Sequence, residues 1–194
     1  MPLTEPLTSR EKAYTYGSSE YDSLLKELLS DKSSQTLLSF IGPYMPDKNS
    51  AVKSIIQQTG LEVQTYSFKD IVNKDNNITR QNIDQAFEGV DPEKNLLFFT
   101  NGANLCGNYM GNTFSKVKYA TPEERHFLNK VEEFKGIIIV TIRSDDAADE
   151  TIKRKSTAII NFPLPSSGLK RFGWLLRNYT FHGFKLPDER TEIT

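Results

Sequence analysis

The sequence predicts an α/β domain built on a largely parallel five-stranded sheet flanked by helices, and three observations carry that expectation. The runs TLLSFI (36–41), NLLFF (95–99) and GIIIV (136–140) are continuous enough for strands buried on both faces and too short for core helices. Between them lie segments whose apolar residues recur three and four apart, the spacing of one helix face. Strand and helix patterns alternate, with EVQTY (62–66) as the second strand and TAIINF (157–162) as the fifth, and such alternation favours parallel pairing through helical crossovers.

Each element has its own justification. Residues 1–18 carry Pro2, Pro6, Gly17 and several Ser and Thr with no apolar period, and are expected to be a flexible N-terminal arm. A single α/β domain is assigned to 19–180, and 181–194 are left as a C-terminal tail. Tyr21, Leu24, Leu25, Leu28 and Leu29 form one face of a helix over 20–30. Val52, Ile55 and Ile56 mark the helix after the first strand, and Ile83 and Phe87 the one before the third. Residues 121–134 announce their own start: Thr121 can cap the helix, Pro122 suits its first position, and Glu124 stands where its carboxylate can reach back to the cap amide. Residues 145–154 favour another helix. Pro163 and Pro165 end the fifth strand, and a last helix over 166–179 aligns Leu169, Phe172, Leu175 and Leu176.

Composition narrows the class. A chain of 194 residues can bury a core without disulfides or metals. Its 24 basic and 25 acidic residues leave a net charge of −1 and no basic block to track a phosphate backbone, so no nucleic acid partner is expected. There is no apolar run of membrane-spanning length and no signal-peptide pattern, so no membrane association and a cytoplasmic location are expected. The one cysteine, Cys106, reads as a small buried hydrophobe. His126 and His182 have no ligand spacing around them, so no metal site is expected.

The candidate site is GPYMPDKN, residues 42–49, between the first strand and its helix. Gly42 and Lys48 stand at the interval of a phosphate-binding loop, G-x-x-x-x-G-K-[ST], in which glycines let backbone amides crowd around phosphates and the hydroxyl binds Mg²⁺. The rest departs from it. Asp47 replaces the second glycine and adds negative charge, Asn49 replaces the hydroxyl, and Pro46 has no amide hydrogen to offer.

Over residues 35 to 179 the order of blocks resembles AAA+ ATPases, closest to the branch found beside bacterial contractile injection systems. Leu105-Cys106-Gly107, Glu132-Glu133-Phe134-Lys135-Gly136 and Phe162-Pro163-Leu164-Pro165 carry this likeness. The resemblance implies a P-loop NTPase-like sheet without the C-terminal helical lid. It places Thr100 and Asn101 where the family has its metal-holding and water-activating carboxylates, and Ile142 where it has a sensor asparagine. Arg154 falls near the family's trans-acting arginines. A general base is worth about 10²- to 10⁴-fold in rate and a metal several kcal/mol more, so losing both leaves no expected hydrolysis. The resemblance then implies a pseudo-ATPase: no catalytic residue, a vestigial nucleotide site at Gly42, Lys48, Asn49, Thr100 and Asn101, and no cofactor. The expected role is an assembly or regulatory subunit that binds other proteins, among them an AAA+ subunit, an injection-system component or a second copy of the chain. Contacts would come from residues 1–18, the 107–120 loop and the helix bearing Trp174. The alternative is a divergent ATP-binding switch or weak ATPase that keeps Lys48, binds ATP and Mg²⁺, and completes its site with a neighbouring subunit. An unrelated α/β domain with an accidental motif is the third reading.

Overall fold

A computed structural model of the chain describes residues 13–30, 34–106, 120–180 and 183–184. The strands are β1 (Ala13–Thr15), β2 (Thr36–Ile41), β3 (Glu62–Ser67), β4 (Asn95–Thr100), β5 (Ile137–Ile142) and β6 (Ala158–Asn161). They form one sheet in the order β1-β6-β2-β5-β4-β3, and every neighbouring pair is parallel. The helices are α1 (Ser19–Ser30), α2 (Met45–Thr59), α3 (Phe68–Ile71), α4 (Asn76–Phe87), α5 (Ala103–Cys106), α6 (Pro122–Glu133), α7 (Glu150–Lys155) and α8 (Gly168–Asn178). A short hairpin follows α8, with β7 (Tyr179–Thr180) antiparallel to β8 (Gly183–Phe184).

The strand count corrects the sequence expectation of five. Ala13–Thr15, assigned to the flexible arm, pairs with Ile159–Asn161 and makes the sixth strand. Three residues are too few to show a period, and two of the three are exposed. What fixes them is Tyr16, the next residue, whose ring stacks on Phe162 at 4.9 Å between centroids and meets Tyr21 edge-on at 5.3 Å.

The apolar runs behave as their composition demands. β2 and β5 are buried at every position, and β4 at all but its first. Because alternate residues face opposite sides, the sheet divides its side chains between two cores. Leu37, Leu97, Phe99, Ile138, Val140 and Ile159 face Ile83, Phe127 and Ile152 of α4, α6 and α7. Leu38, Phe40, Leu96, Phe98, Ile139 and Ile160 face Tyr21 and Leu25 of α1 and Val52 and Ile55 of α2. Each fully buried Leu, Ile or Phe contributes about 1.5–3 kcal/mol of transfer free energy, so this three-layer packing dominates the stability. On the α4/α6 side the packing is aromatic: Phe99 stacks on Phe68 at 5.2 Å and meets Phe127 edge-on at 5.1 Å.

Parallel pairing places every β-to-α connection at one edge of the sheet. The turn after β2 and those after β4, β5 and β6 therefore come together, and they carry the residues singled out from the sequence.

Candidate functional site: a strand-to-helix turn filled by its own chain

Between β2 and α2 only Gly42, Pro43 and Tyr44 lie outside regular structure, because α2 already begins at Met45. Pro46 occupies its first turn without an amide hydrogen, and Asp47 puts a carboxylate where the helix dipole favours an anion. Burial pushes the Asp47 carboxyl up, and the charge of Lys170 on α8 offsets only part of that. The end of α2 that would have to receive phosphate thus carries its own negative side chain.

Gly42 is fixed by proximity. Its φ is +142°, and a Cβ there would lie 2.1 Å from the carbonyl oxygen of Phe162. The Gly42 amide donates to the Ile142 carbonyl at 2.9 Å, and the Phe162 amide donates to the Ile41 carbonyl at 2.7 Å. The turn after β6 therefore lies directly against the turn after β2, and only a residue without a side chain fits between them.

Lys48 is fully buried, and its ammonium donates to the Ile142 carbonyl at 3.0 Å. A lysine at a helix start ordinarily keeps its ammonium in water; here the whole stem is buried and its tip is tied to the end of β5. Asn49 is buried beside it, with its Oδ1 lacking a hydrogen-bond partner among the described residues.

Thr100 and Asn101, at the end of β4, bind the protein itself. The Thr100 hydroxyl donates to the Tyr66 carbonyl at 3.3 Å, and the Asn101 amide donates to Ser67 Oγ at 3.1 Å. Asn101 is the one non-glycine residue with positive φ among those described, at 56°, a conformation that asparagine tolerates better than most. The following Gly102 lets the chain pass close to β5, since a Cβ there would stand 2.7 Å from the Thr141 carbonyl oxygen. Gly42, Lys48 and Asn49 thus converge on one side of the β5 end and Asn101 and Gly102 on the other. Arg154 is exposed on α7 and belongs to neither group. Its neighbour Lys153 pairs with Asp145 at 2.9 Å.

The most perturbed groups are ones the sequence did not single out for chemistry. Thr121 caps α6 as expected, accepting from the Glu124 amide at 3.1 Å. The other half of that expected box is absent: the Glu124 carboxyl does not reach back but is fully buried, facing Asp149. Asp149 caps α7 through Oδ1, which accepts from the Thr151 and Ile152 amides at 2.6 and 3.0 Å, while its Oδ2 has no donor among the described residues. Both Glu124 oxygens likewise lack a donor. Two carboxylates cannot satisfy each other, but one shared proton makes them partners. Burial, followed by the hydrogen bond and the charge of Asp149, pushes the Glu124 carboxyl up to about 10. The Cys106 thiol is buried nearby and is raised well above its ordinary range, first by burial and then by these two acids, so it is an inert thiol. The signal in the sequence was the same Thr-Pro-Glu-Glu that suggested the cap.

Residues 1–12, the 107–119 part of the long loop with Tyr109, Phe114 and Tyr119, and His182 lie outside the described residues. Among those described, no cluster of His, Cys, Asp or Glu is arranged to hold a metal, and no helix is long and apolar enough to cross a membrane.

No protein-family profile matches the chain, and no curated protein matches it in sequence. In structure it is similar to a chain of the E. coli MS115-1 HORMA:CdnC:Trip13 complex, with a TM-score of 0.50 and 14% identity over 88% of this chain and 60% of that one. The chain thus spans less than two thirds of that neighbour's length, and the likeness shows a shared fold alone. These findings correct the family expectation. The AAA+ and injection-system resemblance, with the P-loop, Walker A and Walker B designations that came with it, rested on weak blocks in a suggestive order. No family match upholds it, and the structural neighbour, from a HORMA-containing complex, confers no membership. What stands is an α/β domain with one parallel six-stranded sheet between helices.

Proposed function

We propose that this chain is a non-hydrolysing, protein-binding α/β domain that serves as an assembly or regulatory subunit. The observation that carries the reading is the turn at 42–48, occupied by the chain's own groups. Lys48 is buried on the Ile142 carbonyl, Asp47 sits on the α2 N-terminus, and the Phe162 carbonyl closes over Gly42. A triphosphate would have to displace Lys48 from the core, move the 162–165 turn and overcome the Asp47 charge. Thr100 and Asn101 offer no carboxylate to activate water, and their side chains hold β3 to β4. The structural neighbour belongs to a multiprotein complex, which supports a protein partner for this fold without naming one.

Calorimetric titration with ATP, with and without Mg²⁺, tests the reading. The expected result is no binding heat up to millimolar nucleotide. Micromolar binding that disappears in Lys48→Met would overturn it in favour of a nucleotide switch completed by a neighbouring subunit.

A further inference from the structure

Helix α8 is turned inside out. On α8 the exposed apolar side chains are Leu169, Phe172, Leu175 and Leu176, at 87%, 59%, 42% and 62% of full exposure, whereas Trp174 on the other side is buried. At 100° per residue the four exposed residues share one face, opposite the Trp174 anchor. So much apolar surface on one helix, left uncovered by the other described residues, marks an interaction site. Its charge is equally one-sided. Residues 151–187 contain seven Lys and Arg and no Asp or Glu, in a chain whose net charge is −1, so the remainder of the molecule is strongly acidic.

The complement to this face is on the same molecule. The C-terminal turns of α4 and α6 enclose a groove of about 480 Å³ lined by Phe87 and Phe134, with Asp84, Glu88 and Glu133 against the single cation Lys130. Lys130 is already engaged, at 3.2 Å from Asp84 and 3.9 Å from Glu133. Two helix C-termini end here and add their negative dipole ends. The groove thus pairs an aromatic lining with net negative charge, and α8 pairs an apolar face with Lys170 and Arg171.

We propose that α8 of one copy docks in the α4/α6 groove of a second copy, head to tail. The two surfaces cannot meet within one molecule. The groove lies at the edge where β4 and β5 begin, α8 follows the edge where β6 ends, and a six-residue strand separates those edges by about 20 Å. Because the contact uses two different patches, it leaves a free groove and a free helix at either end, and so extends or closes into a ring. This deepens the reading of a protein-binding domain by naming its partner as another copy of the chain.

Analytical ultracentrifugation over a concentration series, at low and high salt, tests it with two variants. Leu169→Ser/Phe172→Ser disables the helix face, and Glu88→Lys/Glu133→Lys reverses the groove. All four positions are exposed or at a helix end, and circular dichroism checks that both variants melt as the parent does. The parent is expected to self-associate in a salt-sensitive manner, and each variant to weaken that by at least about tenfold. An equimolar mixture of the two is expected to form dimers and nothing larger, since only one intact helix and one intact groove remain per pair. A parent that stays monomeric throughout, a groove variant that associates like the parent, or a mixture that stays monomeric would each overturn the proposal. So would α8-dependent pelleting with phosphatidylserine vesicles that is indifferent to the groove reversal, which would assign the helix to a lipid surface. A monomeric result leaves the protein-binding reading standing, because that reading falls only to nucleotide binding.

Discussion

Replacing Glu124 by Gln should stabilise the protein at neutral pH, contrary to the usual outcome of altering a fully buried residue. The Glu124 carboxyl ordinarily titrates at 4.5 and in the fold is held up to about 10. The folded state therefore keeps a proton that the unfolded chain releases. The stability this pair contributes is complete below pH 4.5, declines as pH rises above it, and is lost through the folded value near 10. Each unit of separation is worth about 1.4 kcal/mol, so at pH 7 the cost has reached about 3 kcal/mol as an upper figure. Glutamine stays neutral throughout and retains an N–H donor for Asp149 Oδ2, the oxygen left without one. Glu124→Gln should match the parent near pH 5, exceed it by about 2–3 kcal/mol at pH 7, and widen the gap toward pH 9. Urea unfolding followed by circular dichroism across that range measures it. Parallel pH profiles for parent and variant would refute the shared proton, as would a variant less stable than the parent at pH 8.

The filled turn makes two further predictions. Lys48→Ala should lower stability by about 2–4 kcal/mol in thermal or chemical unfolding, from the cavity left by a buried stem and the lost bond to Ile142. Gly42→Ala should cost at least about 3 kcal/mol or prevent folding, since its methyl would meet the Phe162 carbonyl in a conformation L-residues avoid. A stable Gly42→Ala protein with the parent's melting temperature would mean that the two turns do not touch.

The parts of the fold that could be read in the sequence are those decided locally. TLLSFI, NLLFF and GIIIV are read as strands because no other element so short buries so continuous an apolar run, and Thr121-Pro122 starts a helix by its own chemistry. The parts that could not be read depend on residues far away. AYT becomes a strand only because Tyr16 finds Phe162. Lys48 points inward because β5 ends beneath it with a carbonyl to bind. Glu124 occupies the position of a capping-box carboxylate, yet Asp149, packed against it from α7, draws its side chain into the core. The same limit applies to the family resemblance, which was an ordering of short blocks that any chain alternating strands and helices can approximate.

The register of the sheet also sets a timetable for folding. Ala13 pairs with Ile159, and β2 lies between β5 and β6, so both strands nearest the N-terminus wait for partners more than 90 residues later. Until β5 emerges from the ribosome, TLLSFI has no strand beside it, and β1 has none until β6 follows. Pairing over such distances is slow and leaves an apolar strand uncovered while synthesis continues. The first segments of the sheet to be made thus depend on its last two strands, and the growing chain carries an uncovered apolar strand while everything between them is synthesised.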